Sequence, residues 1–388
     1  MLTWPNSASK ANSDDWLIQN HDRIKIMKPK ILLINFANGV TAIDATRKAN
    51  RLIECIREGS RYHGYSDPNA PAFLQYEIAK TVDLTDQSPL PEDQKLDGNS
   101  SKYPRISKKD INFGYGSLFS QLFADLYGFD DPSHPSHKLT LKELVDKGII
   151  HEVWFVAYQG DFGAPFESTE VKQAYDDKLH KLVGKSVQSG NGGTEDQPFI
   201  GRSLRIVFLN ATRGPGCAME SLSHSIEATA NCGVIPYFKK YFDEFAMFDL
   251  KRRYGTPFNS LYERPSEVSY PDPTTLRYTR DGKTIDVKNY VPAGNSVHFP
   301  PNGRHDYDLD NPATVMSTIE HFRMRDGNNK GDKAEPWTIK KFEKYRELAN
   351  DCMGPWLVYW RQNFPGLSNK SLDDAGKPMK NWWPFLFY

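Results

Sequence analysis

Two glutamates and a histidine recur at helical spacing near the middle of this chain. Glu220, His224 and Glu227 lie within CAMESLSHSIEATAN. At about 100° per residue, their side chains fall within about 60° of one another on a helix. Imidazole nitrogen and carboxylate oxygen are both ligands that zinc accepts in proteins. The spacing therefore predicts a metal site or an acid–base site on one helix face.

The predicted zinc ligands are His224 and Glu227 on adjacent turns, together with a third ligand from elsewhere in the chain. We assign the third ligand to His298, because consecutive prolines stiffen the segment NSVHFPPNG around it. Glu220, one turn before His224, becomes the candidate general base for an attacking water. The alternative is a His224–Glu227 hydrogen bond that holds no ion.

Alternate acidic residues follow this proline-rich segment. Asp306, Asp308 and Asp310 resemble the start of a calcium loop, but Asn311 stands where an EF-hand requires glycine and Ser317 where it requires glutamate. An EF-hand is therefore not expected. An irregular Ca²⁺ site and a solvated turn bonded to its own backbone remain as alternatives.

Cys217 offers a different chemistry, covalent catalysis by a thiolate. It lies at the start of the predicted helix, where the helix dipole favours a thiolate. His298 with Asn295 or Asn302 could complete a Cys-His-Asn arrangement. A buried structural cysteine is the alternative.

The elements that position these residues are alternating strands and helices. Apolar runs at 31–36, 152–158 and 204–210 are typical of buried strands, and helical periodicity follows over 42–56. A capping-box sequence at 140–143 predicts the start of another helix. We therefore predict an α/β fold with a central, mostly parallel sheet flanked by helices.

Ligands bind beyond the carboxyl ends of the strands in open sheets of this type. The loops that start at Ala37, Gln159 and Ala211 should then lie along one sheet edge. This arrangement places Asp161 and Arg213 near the first turns of the Glu220/His224 helix. Both are therefore predicted to contact substrate.

The predicted organisation is a polar leader at 1–28 followed by a single domain over 29–388. An irregular insertion is expected near 255–305, where LRYTR-DG-KTIDV predicts a β-hairpin with a two-residue turn. The segment 185–203, rich in Ser and Gly, predicts a long surface loop. The aromatic segment 352–388 is expected to close a core or dock a partner, and stacking on sugars is the alternative.

The composition of the chain limits which classes of partner are expected. The 388 residues carry a formal net charge of +0, so no overall field draws the protein to nucleic acid or to an anionic membrane. No apolar run approaches the roughly 20 residues that span a bilayer, so no membrane span is expected. The first residues lack the pattern of a signal peptide, which predicts either a cytoplasmic chain or a removed signal.

The chain also resembles a family of uncharacterised, mostly secreted bacterial proteins. The resemblance covers roughly residues 29–365 and rests on EVWFVAYQGDFGAPFES, RIVFLNATRGPGCAMESLSHSIEA and NSVHFPPNGRHDYDLDNP. It implies a secreted location but no activity. It also implies that one site contains Glu220, His224, Glu227, His298, Asn302, Asp306 and Asp308. Asn302, Asp306 and Asp308 are accordingly predicted to bind substrate. This chain departs from the pattern by lacking an export signal and by having Cys217 at the turn that opens the helix.

The function predicted from these residues is metal-dependent hydrolysis, with a peptide or amide bond as the expected target and Zn²⁺ as the expected ion. A carbohydrate-active enzyme is the first alternative, with Glu220 and either Glu227 or Asp306 as paired carboxylates. The second is a non-catalytic, secreted binding or assembly protein that forms oligomers through its aromatic C-terminal segment. The expected ligands are accordingly a small molecule, a peptide or a glycan.

Overall fold

The computed structural model describes residues 1–86, 98–106, 113–159, 167–192 and 196–388. The chain forms two compact units. The first unit contains Met1–Arg57, Leu74–Ile235 and Pro384–Tyr388, and the second contains Glu58–Phe73 and Pro236–Trp383. The expectation of a single domain over 29–388 stays a prediction.

The described residues of the first unit form strands and α-helices that alternate along much of the chain. The strands are β1 Leu2–Trp4, β2 Ile24–Met27, β3 Lys30–Asn35, β4 Glu77–Asp83, β5 Asp130–Asp131, β6 His134–Lys138, β7 Glu152–Ala157, β8 Ser168–Asp176, β9 Lys181–Ser189 and β10 Arg205–Asn210. The α-helices are α1 Asp14–Asn20, α2 Ala42–Gly59, α3 Gln121–Tyr127, α4 Leu141–Asp146 and α5 Pro215–Asn231. Short 3₁₀ helices span His21–Arg23 and Tyr115–Phe119.

A six-stranded mixed sheet forms the centre of the first unit, in the order β4-β3-β7-β10-β8-β9. The strands β4, β3, β7 and β10 are parallel, with Leu33 and Val207 both opposite Trp154. The hairpin β8-β9 adds two antiparallel strands beside β10. The α/β class is confirmed, as are the apolar strands at β3, β7 and β10. Their carboxyl ends lie along one edge of the sheet because the three strands run in the same direction.

The hairpin β8-β9 corrects one prediction. The segment 185–203 was expected to be a loop, but its first residues belong to β9, which ends at Ser189. The strand β8 is buried over Ser168–Lys172 although it contains Glu170 and Lys172. These charged residues conceal the apolar pattern that identifies a buried strand.

A buried ionic network lies at the amino ends of β7 and β10. Arg205 donates to Glu152 at 3.1 Å and to Glu170 at 3.3 Å, and Lys172 lies 3.1 Å from Glu170. All four residues are at most 3% exposed. The Tyr76 hydroxyl also donates to Glu152, at 2.7 Å. Each buried charge thus has a partner of opposite sign, which burial requires.

The network also contacts the last residues of the first unit. Arg205 donates to the main-chain oxygen of Leu386, and Lys172 donates to that of Tyr388. The Phe387 ring packs against Trp4, with centroids 5.3 Å apart. Residues of the predicted leader and the last five residues of the chain therefore take part in the core of the first unit. Assembly through the aromatic segment stays a prediction.

His151, just before β7, makes the first unit sensitive to acid. The backbone N–H of Lys30 donates to its Nδ1 at 3.0 Å, which requires a neutral ring. Burial lowers the pKa of His151 from 6.5 to about 3, and the charges of Arg202 and Lys30 add to the effect. The unfolded chain therefore binds a proton that the folded chain excludes. Stability from this group is complete above pH 6.5 and is lost as the pH falls toward 3.

We expect the free energy of unfolding to fall by about 2 to 3 kcal/mol between pH 7 and pH 4.5 because of this one residue. Urea unfolding of the wild type and of His151→Gln at both pH values measures this fall. The variant should lose the part of the pH dependence that His151 causes. His134→Gln is the matched control, because the His134 side chain is 74% exposed. An unchanged pH dependence in His151→Gln would contradict the assignment.

The second unit is built from shorter elements. Its α-helices are α6 Pro236–Phe245, α7 Leu250–Tyr254 and α8 Gly354–Arg361. Its strands are β11 Ser269–Asp272, β12 Thr275–Arg280, β13 Lys283–Lys288, β14 Val315–Ser317 and β15 Glu335–Trp337. Short 3₁₀ helices span Leu261–Glu263, Ile319–His321, Asn328–Lys330, Ile339–Lys341 and Glu343–Tyr345, and another begins at Trp383.

The hairpin predicted within 255–305 is confirmed as β12-β13. Arg280 pairs with Lys283 across the two-residue turn, and both turn residues, Asp281 and Gly282, have positive φ. Such turns match the natural twist of a hairpin. Strand β11 extends it to a three-stranded antiparallel sheet. The aromatic core of the unit includes Trp360 and Trp382, both at most 1% exposed.

Within the described ranges, no helix combines the length and apolar character needed to cross a membrane.

Candidate active site

Helix α5 begins at a turn that the end of β10 organises. The Asn210 side-chain oxygen accepts a hydrogen bond from the backbone N–H of Thr212 at 3.0 Å. The Arg213 N–H donates to the Asn210 backbone carbonyl at 3.2 Å. Gly214 is the N-cap residue, and Pro215 occupies the first turn of the helix. Proline suits this position because a first-turn N–H has no intrahelical acceptor. The predicted strand, turn and helix are therefore confirmed.

The polar face of α5 brings together the residues whose spacing suggested a site. His224 Nδ1 lies 3.1 Å from Glu227 Oε2. A Glu220 carboxylate oxygen and a His224 ring nitrogen lie within 4.8 Å of each other. Glu220 is 4% exposed and Glu227 is 6% exposed. These polar groups are thus concentrated in a region with little access to water.

Negative charge surrounds the His224 ring. Burial lowers the pKa of His224, but the hydrogen bond that its ring donates to Glu227 and the charges of Glu227, Glu167 and Glu220 outweigh it, so the pKa lies above its ordinary value. Glu167 stands just before β8 and accepts a hydrogen bond from Asn191 at 2.7 Å. The carboxylates of three glutamates therefore favour a positive charge at His224, whether a proton or a metal ion.

The orientation of His224 suits metal binding. When Nδ1 donates its proton to Glu227, the lone pair of the neutral ring is on Nε2. Proteins commonly fix metal-binding histidines by such a hydrogen bond to a carboxylate. Glu227 was predicted to be a direct zinc ligand. This geometry fits it better as the group that orients the His224 ring.

A cavity of about 220 Å³ lies beside the first turns of α5, within the first unit. It is lined by the end of β10, the turn before α5, one face of α5, part of α2, and polar residues near β7, β8 and β9. Cys217 and Ser221 line the cavity from α5. Cys217, Ser221 and His224 follow one another at intervals of four and three residues. Their side chains therefore fall within about 60° of one another around the helix axis. The cavity therefore lies on the same side of the helix as His224, although His224 itself does not line it.

His298, in the second unit, has a similar carboxylate partner. Its Nδ1 lies 3.2 Å from Asp306 Oδ1, and Arg264 lies 3.0 Å from the other oxygen of that carboxylate. The His298 ring also lies against Tyr262 and Tyr307. The His298–Asp306 pair thus has the arrangement described for His224 and Glu227. Its role as a third zinc ligand stays a prediction.

Asn302 and Asp308 make contacts that stabilise their own loop. The Asn302 amide donates to the carbonyls of Asn311 and Ala313, at 2.8 Å each. Asp308 accepts two hydrogen bonds from the Arg304 guanidinium, at 2.7 and 3.1 Å. Both residues are at most 3% exposed. Their predicted contact with substrate, like that of Asp306, stays a prediction.

Arg213 and Asp161 are the substrate-binding candidates that precede α5 in the chain. Arg213 lines the cavity beside α5, where it was expected to lie. Asp161 lies outside the described residues. Cys217, the candidate nucleophile, lines the same cavity near the start of α5.

Sequence reasoning missed Lys48, Glu167 and Ser221 as members of this site. Ser221 lies inside the segment that was singled out, and its spacing from Cys217 was a usable signal. Lys48 stands on α2 and Glu167 stands before a strand that was not recognised. No local pattern connects either of them with α5.

No protein-family model matches this chain, and no curated protein matches it.

Proposed function

We propose that this chain is a metal-dependent hydrolase that cleaves a peptide or amide bond, with α5 as its catalytic helix. One observation carries the proposal. A nearly buried histidine, oriented by Glu227, is surrounded by the carboxylates of Glu220, Glu227 and Glu167. Such a concentration of negative charge around an imidazole attracts a divalent cation. The adjoining cavity supplies space for a substrate beside it.

His224 is the principal zinc ligand in this proposal, and Glu227 holds its ring in position. The role of His298 as a zinc ligand stays a prediction from the sequence. Zinc, when bound, would act as a Lewis acid on the scissile carbonyl. Glu220 takes a proton from the attacking water and then delivers it to the leaving amine. Its position within 4.8 Å of a His224 ring nitrogen suits that role.

We expect Glu220→Gln to retain zinc but to lower kcat by about 100-fold or more, because an amide cannot serve as the base. Amine release from a panel of dipeptides and N-acyl amino acids measures the rate, on protein stripped with chelator and reloaded with zinc. Glu54→Gln is the matched control, since Glu54 is an exposed glutamate on α2. Its kcat should stay at the wild-type value.

Two outcomes would count against the proposal. One is the lack of zinc-dependent amine release from every substrate in the panel. The other is a Glu220→Gln variant as active as the wild type. A variant that loses zinc together with activity would instead identify Glu220 as a ligand.

A further inference from the structure

We propose that the cavity beside α5 binds the carboxylate of an N-acyl amino acid or short peptide. The cavity thereby selects substrates cleaved near a terminal carboxylate. That these ligands are substrates rests on the proposed function, whereas their binding follows from the cavity itself.

Positive charge is concentrated on one side of the cavity. Lys48 and Arg213 both line it, and the Lys48 ammonium donates to the Arg213 carbonyl. That contact holds the ammonium beside the turn that leads into α5. The positive end of the α5 dipole lies at the same turn, which favours an anionic group there.

Ser221 supplies an independent indication of a ligand. It lines the cavity but is only 3% exposed. Its hydroxyl has no hydrogen-bond partner among the described residues. A buried hydroxyl without a partner is destabilising, so its presence in a cavity wall points to a bound polar group.

The shape of the turn favours a carboxylate over a phosphate. Phosphate-binding helix starts present several backbone N–H groups to the phosphate oxygens. Here Pro215 has no N–H, and no lysine follows Gly216 as in a phosphate-binding loop. A carboxylate has fewer oxygens to satisfy and suits this smaller set of donors.

The rest of the cavity suits a compact, partly apolar group. Leu52, Phe208 and Leu209 line it and are at most 7% exposed. Its volume of about 220 Å³ is below the range of roughly 300 to 1,000 Å³ typical of drug-sized ligands. Polar groups from Gln159 and Asn210, which hydrogen-bond to each other at 3.2 Å, can recognise an amide. This combination fits an acylated amino acid.

Glu167 adds a restriction on charge. Its carboxylate lines the cavity and is held by Asn191. A ligand with a second carboxylate near Glu167 would be repelled. The cavity should therefore prefer a monocarboxylate.

The test compares N-acetyl-leucine with N-acetyl-leucine amide, which differ only in the carboxylate. Titration calorimetry on the full chain in chelator should show binding of the acid and at least about tenfold weaker binding of the amide. Inorganic phosphate is the third probe and should not bind at the same concentrations. Chelator keeps this test independent of zinc, so its failure is distinct from failure of the hydrolase proposal.

Two variants locate the binding site. Lys48→Gln and Ser221→Ala should each weaken binding of N-acetyl-leucine by about tenfold. Arg51→Gln is the matched control, because Arg51 is exposed on the same helix as Lys48 and does not line the cavity. It should bind within about twofold of the wild type. Thermal unfolding checks that all three variants fold, and Ser221→Ala should have an equal or higher Tm.

The inference is overturned by equal binding of the acid and the amide, by binding of phosphate alone, or by no binding of any probe. Unchanged affinity in both cavity variants would also overturn it, because binding would then lie elsewhere.

Discussion

Replacing His224 by alanine is expected to weaken zinc binding by at least about 100-fold, which removes about 2.7 kcal/mol of binding free energy. The imidazole is the one nitrogen ligand that α5 offers, and the carboxylates of Glu220 and Glu227 cannot supply a comparable donor set alone. Zinc content after dialysis against a defined free-zinc buffer measures the effect. Competition with a chromogenic chelator gives the affinity.

His137→Ala is the matched control for this change. His137 also contacts a glutamate, with its Nε2 3.1 Å from Glu143, but it lies outside the cavity beside α5. It should leave the zinc affinity unchanged. Glu227→Ala should weaken binding by about 10- to 100-fold, because the His224 ring would lose its orienting partner. The same measurement on His298→Ala tests the sequence prediction for the third ligand.

A wild-type protein that binds no zinc when purified without chelator, and none on titration, would end the metal hypothesis. Equal zinc loss in His224→Ala and His137→Ala would show that the bound ion is adventitious. In either case the His224–Glu227 contact would be a hydrogen bond with a structural role.

Replacing Arg205 by methionine should destabilise the protein by about 3 to 5 kcal/mol. The change leaves the Glu152 carboxylate without its buried cation, and Lys172 alone would neutralise Glu170. Both glutamates are 1% exposed, so water cannot replace the guanidinium. Chemical unfolding followed by circular dichroism gives the free energy difference.

The control is Arg277→Met on the hairpin β12-β13. Arg277 also makes a two-point contact with a carboxylate, Asp286, but its side chain is 42% exposed. Exposed pairs contribute about 0 to 1 kcal/mol, so little stability should be lost. A loss below about 1 kcal/mol in Arg205→Met would mean that the network is hydrated or weakly coupled to folding.

The local elements were predictable because their signals are local. Apolar runs predicted β3, β7 and β10, and Thr140 with Glu143 predicted the start of α4 through a capping box that the structure confirms. The Asp281-Gly282 pair predicted the hairpin turn. Each of these patterns lies within a few residues, where backbone preference and side-chain capping act directly.

The strands β8 and β9 were not predictable in this way. Glu170 and Lys172 are buried in β8 because they pair with each other, because Arg205 of β10 pairs with Glu170, and because the Ser203 hydroxyl bonds both of them. When the partners of a charged residue are distant in the chain, the sequence pattern predicts that the residue is exposed to solvent. The same reason explains why Lys48 and Glu167 were absent from the predicted site.

The sequence by itself determined that Glu220, His224 and Glu227 share one face of a helix that follows a buried strand, because helical periodicity and turn chemistry act over short distances. Only the tertiary structure decided that Glu227 bonds the His224 ring and that Glu167 adds its charge there. It also placed a cavity with Lys48 and Ser221 against the start of the same helix. These features depend on contacts between segments far apart in the chain, which no local pattern encodes.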